Sequence, residues 1–289
     1  MLNDSMKSFI ALALKEDLGR GDVTSESSVP AELVQEGYIL AKETGVVAGV
    51  EVAREVFNQM DPNIKFSAEM QDGDKVKYGD LVIKVEGLAR SILSGERLAL
   101  NFMQRMSGIA TRTSEIMKIL DGTPTKVLDT RKTTPGLRAF EKWAVDLGGG
   151  VNHRMGLYDM ILLKDNHVDY AGGMTEALAQ VVKYLEAQDE EIPVVIETRS
   201  FEEIEAALEA EEKTGLKIRR ILLDNFTHAE VAEAVKRYEG RVTFEASGGI
   251  NPENVRGYGE AGAHFVSMGY MTHSVKSLDL SLKSTPNVK

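Results

Sequence analysis

The sequence predicts an α/β protein in which a small α+β unit precedes a larger domain built on parallel strands. Three observations lead to this prediction. The first third of the chain mixes a helical segment with short alternating segments, which glycine and Asp-Gly turns separate. A long stretch with apolar residues at helical spacing begins at Ser94. Beyond it, short apolar runs alternate with helical segments at a spacing of roughly thirty residues, as βα units require.

The composition limits the classes of function that the chain can perform. Its 289 residues are 43% hydrophobic, enough for a sizeable core in one large domain or two ordinary ones. The absence of cysteine excludes disulfides, thiolate metal sites and thiol nucleophiles. A net charge of −11 argues against extensive nucleic-acid binding, and the N-terminal segment has no apolar run typical of a signal peptide or membrane span. We therefore expect a cytoplasmic protein with no nucleic-acid and no membrane partner.

The first unit is predicted to begin with a helix over residues 5–18. Two alternating segments, GYILAKETGVVAGV and KVKYGDLVIKVEG, then indicate short strands. The stretch SGERLALNFMQRMSGIATRTSEIMKIL predicts one helix broken at Gly108, or two helices, and marks a candidate domain boundary.

Six apolar runs in the second part predict the strands of a parallel sheet. Continuous Val, Ile and Leu runs suit strands that are buried on both faces. A barrel and an open doubly wound sheet both fit, but six strands are fewer than the eight of a full barrel, so a barrel would be incomplete. The runs are KVLDTRK, DMILLKD, VVIETRS, RILLDNF, VTFEASGG and HFVSMG.

Charged and polar residues follow these runs where catalytic groups gather in parallel α/β folds, at the carboxyl ends of the strands. These residues are Asp129, Arg131, Lys132, Lys164, Glu197, Asp224 and Ser247. Basic residues are also concentrated here in an otherwise acidic chain, which suits a small, highly anionic ligand; solvated charges at strand and helix ends are the alternative. The basic cluster comprises Arg131, Lys132, Arg138, Lys142, His153, Arg154 and Lys164, with Arg97 and Arg105 on the preceding helix.

The segment ASGGINPENV is a candidate phosphate site. A strand ends at Ser247, Gly248 and Gly249, and a helix is expected to start near Pro252. Backbone N–H groups of the glycines and the positive end of the helix dipole would then face a phosphate, although a simple turn is the alternative.

Two acids and two histidines complete the candidate residues. Glu197 and Asp224 end neighbouring runs and could hold Mg²⁺, directly or through water, or bond sugar hydroxyls, unless each only pairs with a nearby lysine. His153 and His273 could carry protons, but a lone histidine is more often structural. The neighbour Arg154 favours His153 as a site residue.

Several segments, in the same order along nearly the whole chain, resemble the quinolinate phosphoribosyltransferase family, the nicotinate-nucleotide pyrophosphorylases (carboxylating). The long block at 129–154 is highly specific, whereas the SGG turn alone is not. The matching segments are EDLGRGDVTS, AKETGVVAG, ERLALNFMQRMSGIAT, DTRKTTPGLRAFEKWAVDLGGGVNHR, LLKDNHV, LLDNF, EASGGI and SMGYMTHS.

The resemblance implies an incomplete α/β barrel that carries the site, with an N-terminal α/β sandwich domain. We place the sandwich at 1–110, joined by the C-terminal segment 275–289, and the barrel at 111–274. The implied reaction joins quinolinate to 5-phosphoribosyl 1-diphosphate with decarboxylation, giving nicotinate mononucleotide, pyrophosphate and carbon dioxide in NAD biosynthesis. The implied cofactor is Mg²⁺, and the implied assembly is a homodimer or a higher oligomer.

The resemblance also implies a role for each matching residue. Those that hold the two quinolinate carboxylates are Arg131, His153, Arg154 and, across the dimer interface, Arg97 of the partner subunit. The catalytic residues are Lys132 and Lys164, beside the pyrophosphate and reacting atoms, and Glu197 and Asp224, at the ribose and Mg²⁺. Those around the 5′-phosphate are Ser247, Gly248, Gly249 and Gly269.

One position departs from the family pattern. The family often has a second Glu two residues before the functional one, where this chain has Val195 before Glu197. Because alternate strand residues face the same way, we expect Val195 to make that wall less acidic and to alter metal geometry, not the reaction.

Three other functions remain open on the sequence. A phosphoribosyltransferase of the same fold could act on another planar acid such as nicotinate, although four basic groups exceed the need of one carboxylate. Lys132 or Lys164 could be the Schiff-base lysine of an aldolase. The protein could also be a phosphate-binding sensor without catalytic activity.

Overall fold

The computed structural model describes residues 2–188 and 191–284, so the last five residues of the predicted C-terminal segment lie outside the described part. The helices are α1 Asp4–Leu18, α2 Val23–Ser28, α3 Val50–Met60, α4 Ala89–Ile119, α5 Arg138–Leu147, α6 Asp165–Ala171, α7 Met174–Leu185, α8 Phe201–Thr214, α9 His228–Arg237, α10 Val255–Glu260 and α11 Tyr270–His273. The strands are β1 Val34–Ala41, β2 Gly45–Val46, β3 Lys65–Ala68, β4 Lys75–Val76, β5 Leu81–Leu88, β6 Lys126–Leu128, β7 Ile161–Leu163, β8 Val194–Thr198, β9 Ile218–Asp224, β10 Phe244–Ser247, β11 Phe265–Ser267 and β12 Leu280–Lys283.

The chain divides into two compact units. The first comprises Met1–Glu115, Thr133–Gly150 and Met271–Lys289, and the second comprises Ile116–Lys132 and Val151–Tyr270. Helix α5 therefore belongs to the first unit although it lies between two strands of the second. The predicted domain limits at 110 and 274 stay a prediction. No helix within the two described ranges is long and apolar enough to cross a membrane.

The first unit is built on an antiparallel sheet with the strand order β12-β1-β5-β3. Its centre is the pair β1 and β5, in which Ile39 lies opposite Ile83, and both side chains are fully buried. The predicted opening helix is confirmed as α1, which begins one residue earlier because the Asn3 side chain caps it by accepting a hydrogen bond from the Met6 N–H. This α/β layer is the predicted sandwich domain.

Helix α4 runs without a break, so the predicted interruption at Gly108 is wrong. Glycine lowers helix propensity, which is why the sequence suggested a break. A Cβ atom at Gly108 would lie 2.3 Å from the Lys276 carbonyl oxygen. The glycine therefore serves a close approach between the helix and the segment before β12, and the rest of the helix is stabilised by its buried face.

The second unit contains a parallel sheet with the order β6-β11-β10-β9-β8-β7. These strands are the six predicted apolar runs. From β7 to β11 each strand pairs with the next one along the chain, and β6 pairs with the last strand, β11. The strands therefore follow one another around a ring that stays open between β6 and β7. This order confirms the incomplete α/β barrel and excludes the doubly wound sheet, whose strand order reverses at a switch point.

Candidate active site

Polar side chains share one face of the parallel sheet, towards the carboxyl ends of its strands. Glu197 lies opposite Leu222, and Leu222 lies opposite Glu245. Two residues further towards the carboxyl ends of the strands, Asp224 lies opposite Ser247. Because register partners in a parallel sheet point to the same side and side chains alternate along a strand, Glu197, Asp224, Glu245 and Ser247 all project from this face. The opposite face carries the apolar residues, including Ile196 and Leu223, which are fully buried.

Lys164 and Glu197 form an ion pair at the ends of neighbouring strands. Lys164 directly follows β7 as the N-cap of α6, and its Nζ lies 3.2 Å from Glu197 Oε2. The lysine side chain is 47% exposed and the glutamate side chain is 15% exposed. The pair thus holds a cation at an open edge, where an incoming anion can compete for it.

Asp224 is held by a neighbour that the sequence analysis did not single out. Asn225 has a φ of 59°, in the left-handed region that few residues other than glycine adopt. Its Nδ2 donates to Asp224 Oδ2 at 2.8 Å, and its backbone N–H donates to the Ser247 carbonyl at 2.8 Å. Asn225 therefore connects the end of β9 to the end of β10. Asparagine after a strand is the one sequence signal that could have indicated this role.

The candidate phosphate turn follows β10. Gly248 and Gly249 have φ values of 98° and 60°, so both require glycine. A Cβ atom at Gly248 would lie 2.2 Å from Asn225 Oδ1, whereas one at Gly249 would meet only open space. The backbone at Gly249 is thus accessible to an approaching anion. Gly269 follows the neighbouring strand β11, two residues beyond Ser267.

The expected helix start near Pro252 is wrong, because α10 begins at Val255 and has only six residues. The intervening turn is closed by asparagine side chains. Asn254 Oδ1 accepts from the Asn251 N–H at 2.9 Å, and Asn254 Nδ2 donates to the Gly249 carbonyl at 3.1 Å. Any anion site here depends on backbone N–H groups of the glycine turn more than on a helix dipole.

Two arginines lie close together in the segments that follow β6, the strand next to β11. Arg131 and Lys132 are exposed just after β6, and the Lys132 N–H donates to Thr130 Oγ1 at 3.0 Å. Burial lowers the pKa of Arg154, and the positive charge of Arg131 lowers it further. Two like charges held near each other are typical of a site that binds an anion.

His153 is buried in a network beside Arg154. Its backbone N–H donates to Oδ1 of the fully buried Asp129 at 2.9 Å, and its ring Nδ1 accepts from the Arg154 N–H at 2.7 Å. On the other side of the ring, Nε2 lies 3.5 Å from Glu245 Oε2. Asp129 therefore fixes the backbone of this loop, although its position after β6 had suggested a strand-end site residue.

Glu245 and Arg220 are buried charges that the sequence analysis missed. Arg220 Nε lies 2.6 Å from Glu245 Oε2, and the two side chains are 6% and 0% exposed. Burial acts to raise the pKa of Glu245, but His153 and the charge of Arg220 outweigh it and hold that pKa below its usual value. Glu245 stands inside the apolar run VTFEA, which is a signal that could have revealed it, whereas Arg220 follows Arg219 at the start of its run and gives no such signal.

The register between β8 and β9 also shows where Val195 lies. It is fully buried and lies opposite Arg220, one step below Glu197 on the same face. This wall therefore carries an arginine where the departure from the family pattern had suggested only the loss of an acid.

Other members of the predicted basic cluster lie in the first unit. Arg105 donates to Glu141 Oε1 at 2.6 Å and to Thr134 Oγ1 at 2.7 Å. Arg138 donates from Nε to Thr133 Oγ1 at 3.0 Å, and Lys142 is fully buried on α5. Arg97 is exposed on α4, and His273, at the end of α11, has its Nδ1 2.7 Å from Ser274 Oγ. The structure thus brings together the candidates of the second unit, and the relation of Arg97 to them stays a prediction.

The two acids suit magnesium better than a metal held by protein alone. Among residues 2–188 and 191–284, no group of three or more His, Asp or Glu side chains could hold a metal ion. Magnesium in proteins is commonly held by one or two carboxylates together with water and phosphate oxygens of a substrate. Glu197 and Asp224 offer that set of donors on one face of the sheet.

Comparison with known proteins gives matches over nearly the whole chain. The family models described as quinolinate phosphoribosyl transferase, N-terminal domain and C-terminal domain, match residues 22–107 and 109–283. Quinolinate phosphoribosyltransferase [decarboxylating] 1b of Nicotiana tabacum is 46% identical over 288 residues, which cover 96% of this chain and 82% of the relative. A probable nicotinate-nucleotide pyrophosphorylase [carboxylating] of Bacillus subtilis is 40% identical over 270 residues, covering 93% of this chain and 90% of the relative. The crystal structure of NadC from Streptococcus pyogenes superposes with a TM-score of 0.91 at 37% identity and covers 98% of this chain and 97% of that one.

Proposed function

The chain belongs to the quinolinate phosphoribosyltransferase family, and from this membership we propose that it is the transferase that makes nicotinate mononucleotide. It joins quinolinate to 5-phosphoribosyl 1-diphosphate and releases pyrophosphate and carbon dioxide, a step of NAD biosynthesis. The observation that carries this proposal is the sheet face of the second unit. There an arginine pair and a glycine turn, both suited to anions, lie at the carboxyl ends of the same six strands.

The acceptor pocket is formed around Arg131 and Arg154. Quinolinate carries two carboxylates on adjacent ring carbons, and guanidinium groups bind carboxylates through paired N–H donors. Burial and the positive charge of Arg131 lower the pKa of Arg154, which supports a pocket that is most stable with an anion beside Arg154. His153 and Arg97 of the partner subunit complete the acceptor pocket in this proposal. Nicotinate, with one carboxylate, would leave part of this positive charge uncompensated.

The donor's 5′-phosphate binds at the glycine turn. Ser247, Gly248 and Gly249 present a hydroxyl and backbone N–H groups, and Gly269 comes from the neighbouring strand. The open space at Gly249 supports this assignment, since a phosphate needs close approach to the backbone. The ribose then lies near Asp224 and Glu197, whose carboxylates accept hydrogen bonds from its hydroxyls.

Transfer begins when the pyridine nitrogen attacks the ribose C1 and displaces pyrophosphate. The transition state has oxocarbenium character, with positive charge on the ribose and growing negative charge on the leaving group. Lys132 and Lys164 stabilise that negative charge, and ionised Glu197 and Asp224 stabilise the positive charge. Holding both substrates in line removes much of the entropic cost of their meeting. No covalent bond to the protein is needed.

Glu197 and Asp224 would also hold Mg²⁺ in this proposal, directly or through water. The ion would supply positive charge that neutralises the leaving group. The Lys164 ammonium, 3.2 Å from Glu197 Oε2, lies where it can turn from the carboxylate to the phosphate oxygens of the donor.

Decarboxylation follows from the transfer itself. The new glycosidic bond makes the ring nitrogen cationic, so the electron pair left at C2 when the carboxylate departs is stabilised beside a positive charge. The proton that replaces the carboxylate comes from water. The protein's part is to orient the 2-carboxylate without binding it more tightly as it leaves.

The proposed assembly is a homodimer in which Arg97 reaches the acceptor pocket of the other subunit. Its exposed position on α4 in the first unit supports this proposal, since Arg105 on the same helix is instead engaged in an ion pair with Glu141. A cytoplasmic location and the absence of nucleic-acid and membrane partners stay predictions.

The test is to incubate the purified protein with phosphoribosyl diphosphate, Mg²⁺ and either quinolinate or nicotinate, and to measure pyrophosphate and carbon dioxide together. We expect equal release of both products with quinolinate and none with nicotinate. Lys132→Ala should lower kcat by about 10²- to 10³-fold, the usual effect of removing a group that stabilises transition-state charge.

Two outcomes would contradict the proposal. Pyrophosphate without carbon dioxide, or activity with nicotinate alone, would retain the phosphate site but require another acceptor. No release of either product would reopen the aldolase and sensor hypotheses, and reduction of a bound carbonyl compound with borohydride would then test Lys132 and Lys164 as Schiff-base lysines.

A further inference from the structure

The buried ion pair between Arg220 and Glu245 lies on the same sheet face as the site but below its open edge. Glu245 is fully buried, and neither of its carboxylate oxygens has an aligned hydrogen-bond donor within residues 2–188 and 191–284. The Arg220 guanidinium lies over the Phe265 ring, 4.9 Å from its centroid, so packing fixes it beside the carboxylate. Burying two charges is costly, and replacing such a pair with apolar residues is often neutral or stabilising. A contribution to the free energy of unfolding therefore does not explain why these two charges are buried here.

The position of the pair suggests what it does. His153 stands between Glu245 and Arg154, with Nε2 3.5 Å from the carboxylate and Nδ1 2.7 Å from the Arg154 amide nitrogen. Since Nδ1 accepts the Arg154 N–H, the ring proton must be on Nε2, facing Glu245. The other tautomer would turn a lone pair towards the carboxylate and a second hydrogen towards the amide. Both neighbours thus select one neutral form of the ring.

We propose that Arg220 and Glu245 form a positioning pair that holds His153 as the neutral Nε2–H tautomer and thereby orients Arg154. Arg220 keeps Glu245 ionised, the Glu245 carboxylate attracts the Nε2–H edge of the imidazole at 3.5 Å, and the imidazole holds the backbone from which the Arg154 guanidinium projects. Arg154 Nη1 also donates to the Met160 carbonyl at 3.2 Å, so the arginine is fixed at both ends. This role rests on the proposed function, in which Arg154 binds a quinolinate carboxylate.

The proposal assigns His153 to support Arg154 in the substrate-free protein. Arg220 reaches the ring through Glu245, and Asp129 Oδ1 accepts a hydrogen bond from the His153 backbone N–H. Both ring nitrogens are directed at protein groups. Glu245 and Arg220 are thus positioning residues, which act on the acceptor pocket through His153 and Arg154.

Two double variants separate this role from a merely structural one. Glu245→Leu with Arg220→Met removes both charges and the acceptor, while Glu245→Gln with Arg220→Met removes both charges but retains a carbonyl oxygen for His153 Nε2–H. Neither leaves an unpaired buried charge, so both should fold. Phe244→Leu is the matched control, since Phe244 is fully buried on the same strand but faces away from His153.

The first measurement is the protonation of the His153 ring nitrogens, by NMR of protein labelled with ¹⁵N-histidine at neutral pH. The chain has five histidines, and His153→Gln identifies the relevant signal. We expect a single Nε2–H tautomer in the wild type and in the glutamine variant, and a mixture in the leucine variant. A proton on Nδ1, or on both nitrogens, in the wild type would overturn the proposal.

The second measurement is the KM for each substrate. In the leucine variant we expect the KM for quinolinate to rise about tenfold, the effect of losing one orienting contact to a charged group, with little change in the KM for phosphoribosyl diphosphate. The glutamine variant should recover most of this loss. An unchanged quinolinate KM in the leucine variant, or an equal rise in Phe244→Leu, contradicts the proposal. If the wild type does not use quinolinate, the proposed function fails, and the NMR result still decides the role of the pair.

Discussion

At the scale of single residues, the site depends on side chains that a motif match does not single out. Lys132, Lys164, Glu197 and Asp224 could be predicted because they follow apolar runs directly. The sequence offers at most a weak signal at Asn225 and Glu245 and none at Arg220, and the roles of all three could not be predicted because they depend on which strands are neighbours. A charged residue within an apolar run departs from the pattern of a buried strand, and its role becomes clear only when the strand register shows which residue lies opposite it.

Asn225 gives a prediction at this scale. Asn225→Gly keeps the left-handed backbone but removes the bond to Asp224 and the contact with Gly248. We expect the KM for phosphoribosyl diphosphate to rise about tenfold, the value of one hydrogen bond to a charged group, while the KM for quinolinate stays near that of the wild type. Steady-state kinetics with each substrate varied in turn would measure both.

Asn225→Ala is the companion variant. It loses the same contacts and also places an alanine at a φ of 59°, which costs about 1 kcal/mol of backbone strain. It should therefore be less stable than Asn225→Gly while showing at least the same loss of affinity. A phosphoribosyl diphosphate KM that neither variant changes would remove Asn225 from the site.

At the scale of elements, the sequence predicted those helices and strands whose formation depends on residues close together in the chain. The six strands were evident because each is a short, continuous apolar run. The continuity of α4 was missed because helix propensity at Gly108 is local, whereas the reason for the glycine is a carbonyl group at Lys276, far along the chain. The start of α10 was misplaced for a similar reason, since Asn251 and Asn254 close a turn that a proline alone had suggested as helix.

Gly108 gives a prediction for the helix. Gly108→Ala would favour an isolated helix by about 1 kcal/mol. In this protein its Cβ would overlap the Lys276 carbonyl, so we expect a net loss of about 1–3 kcal/mol in the free energy of unfolding, measured by urea denaturation. The control is Asn101→Ala at an exposed position of the same helix, which should be neutral or slightly stabilising. If both variants have the same free energy of unfolding, the backbone at Lys276 can move to accommodate the added Cβ at little energetic cost.

At the scale of the whole molecule, counting strands predicted only that a barrel would be incomplete, and the family resemblance favoured the barrel over a doubly wound sheet. The open ring between β6 and β7 agrees with both. The segment 133–150 was not expected to belong to the first unit, because sequence order gives no sign that a helix between two barrel strands packs elsewhere. The assembly is a further property that a single chain does not reveal. Its test must therefore use two kinds of subunit.

Complementation tests the proposed dimer. Arg97→Ala and Lys132→Ala should each lower activity by about 10²- to 10³-fold. A mixed dimer contains one pocket in which both residues are intact, so purified mixed dimers, obtained by co-expression with two tags, should regain about half of the wild-type activity. Mixed dimers that form but stay inactive would show that Arg97 does not act across the interface.

The pairing of β12 with β1 has a consequence for how the protein is made. Strand β1 lies between β5 and β12, and its partner β12 ends only at Lys283. In the second unit, β6 pairs with β11, which is synthesised much later. During translation, the first sheet can therefore be completed only after β12, Leu280–Lys283, has left the ribosome, and the second only after β11, Phe265–Ser267. Both units expose an unpaired strand edge for most of that time, so the nascent chain depends on late, long-range contacts and on protection from aggregation until they form.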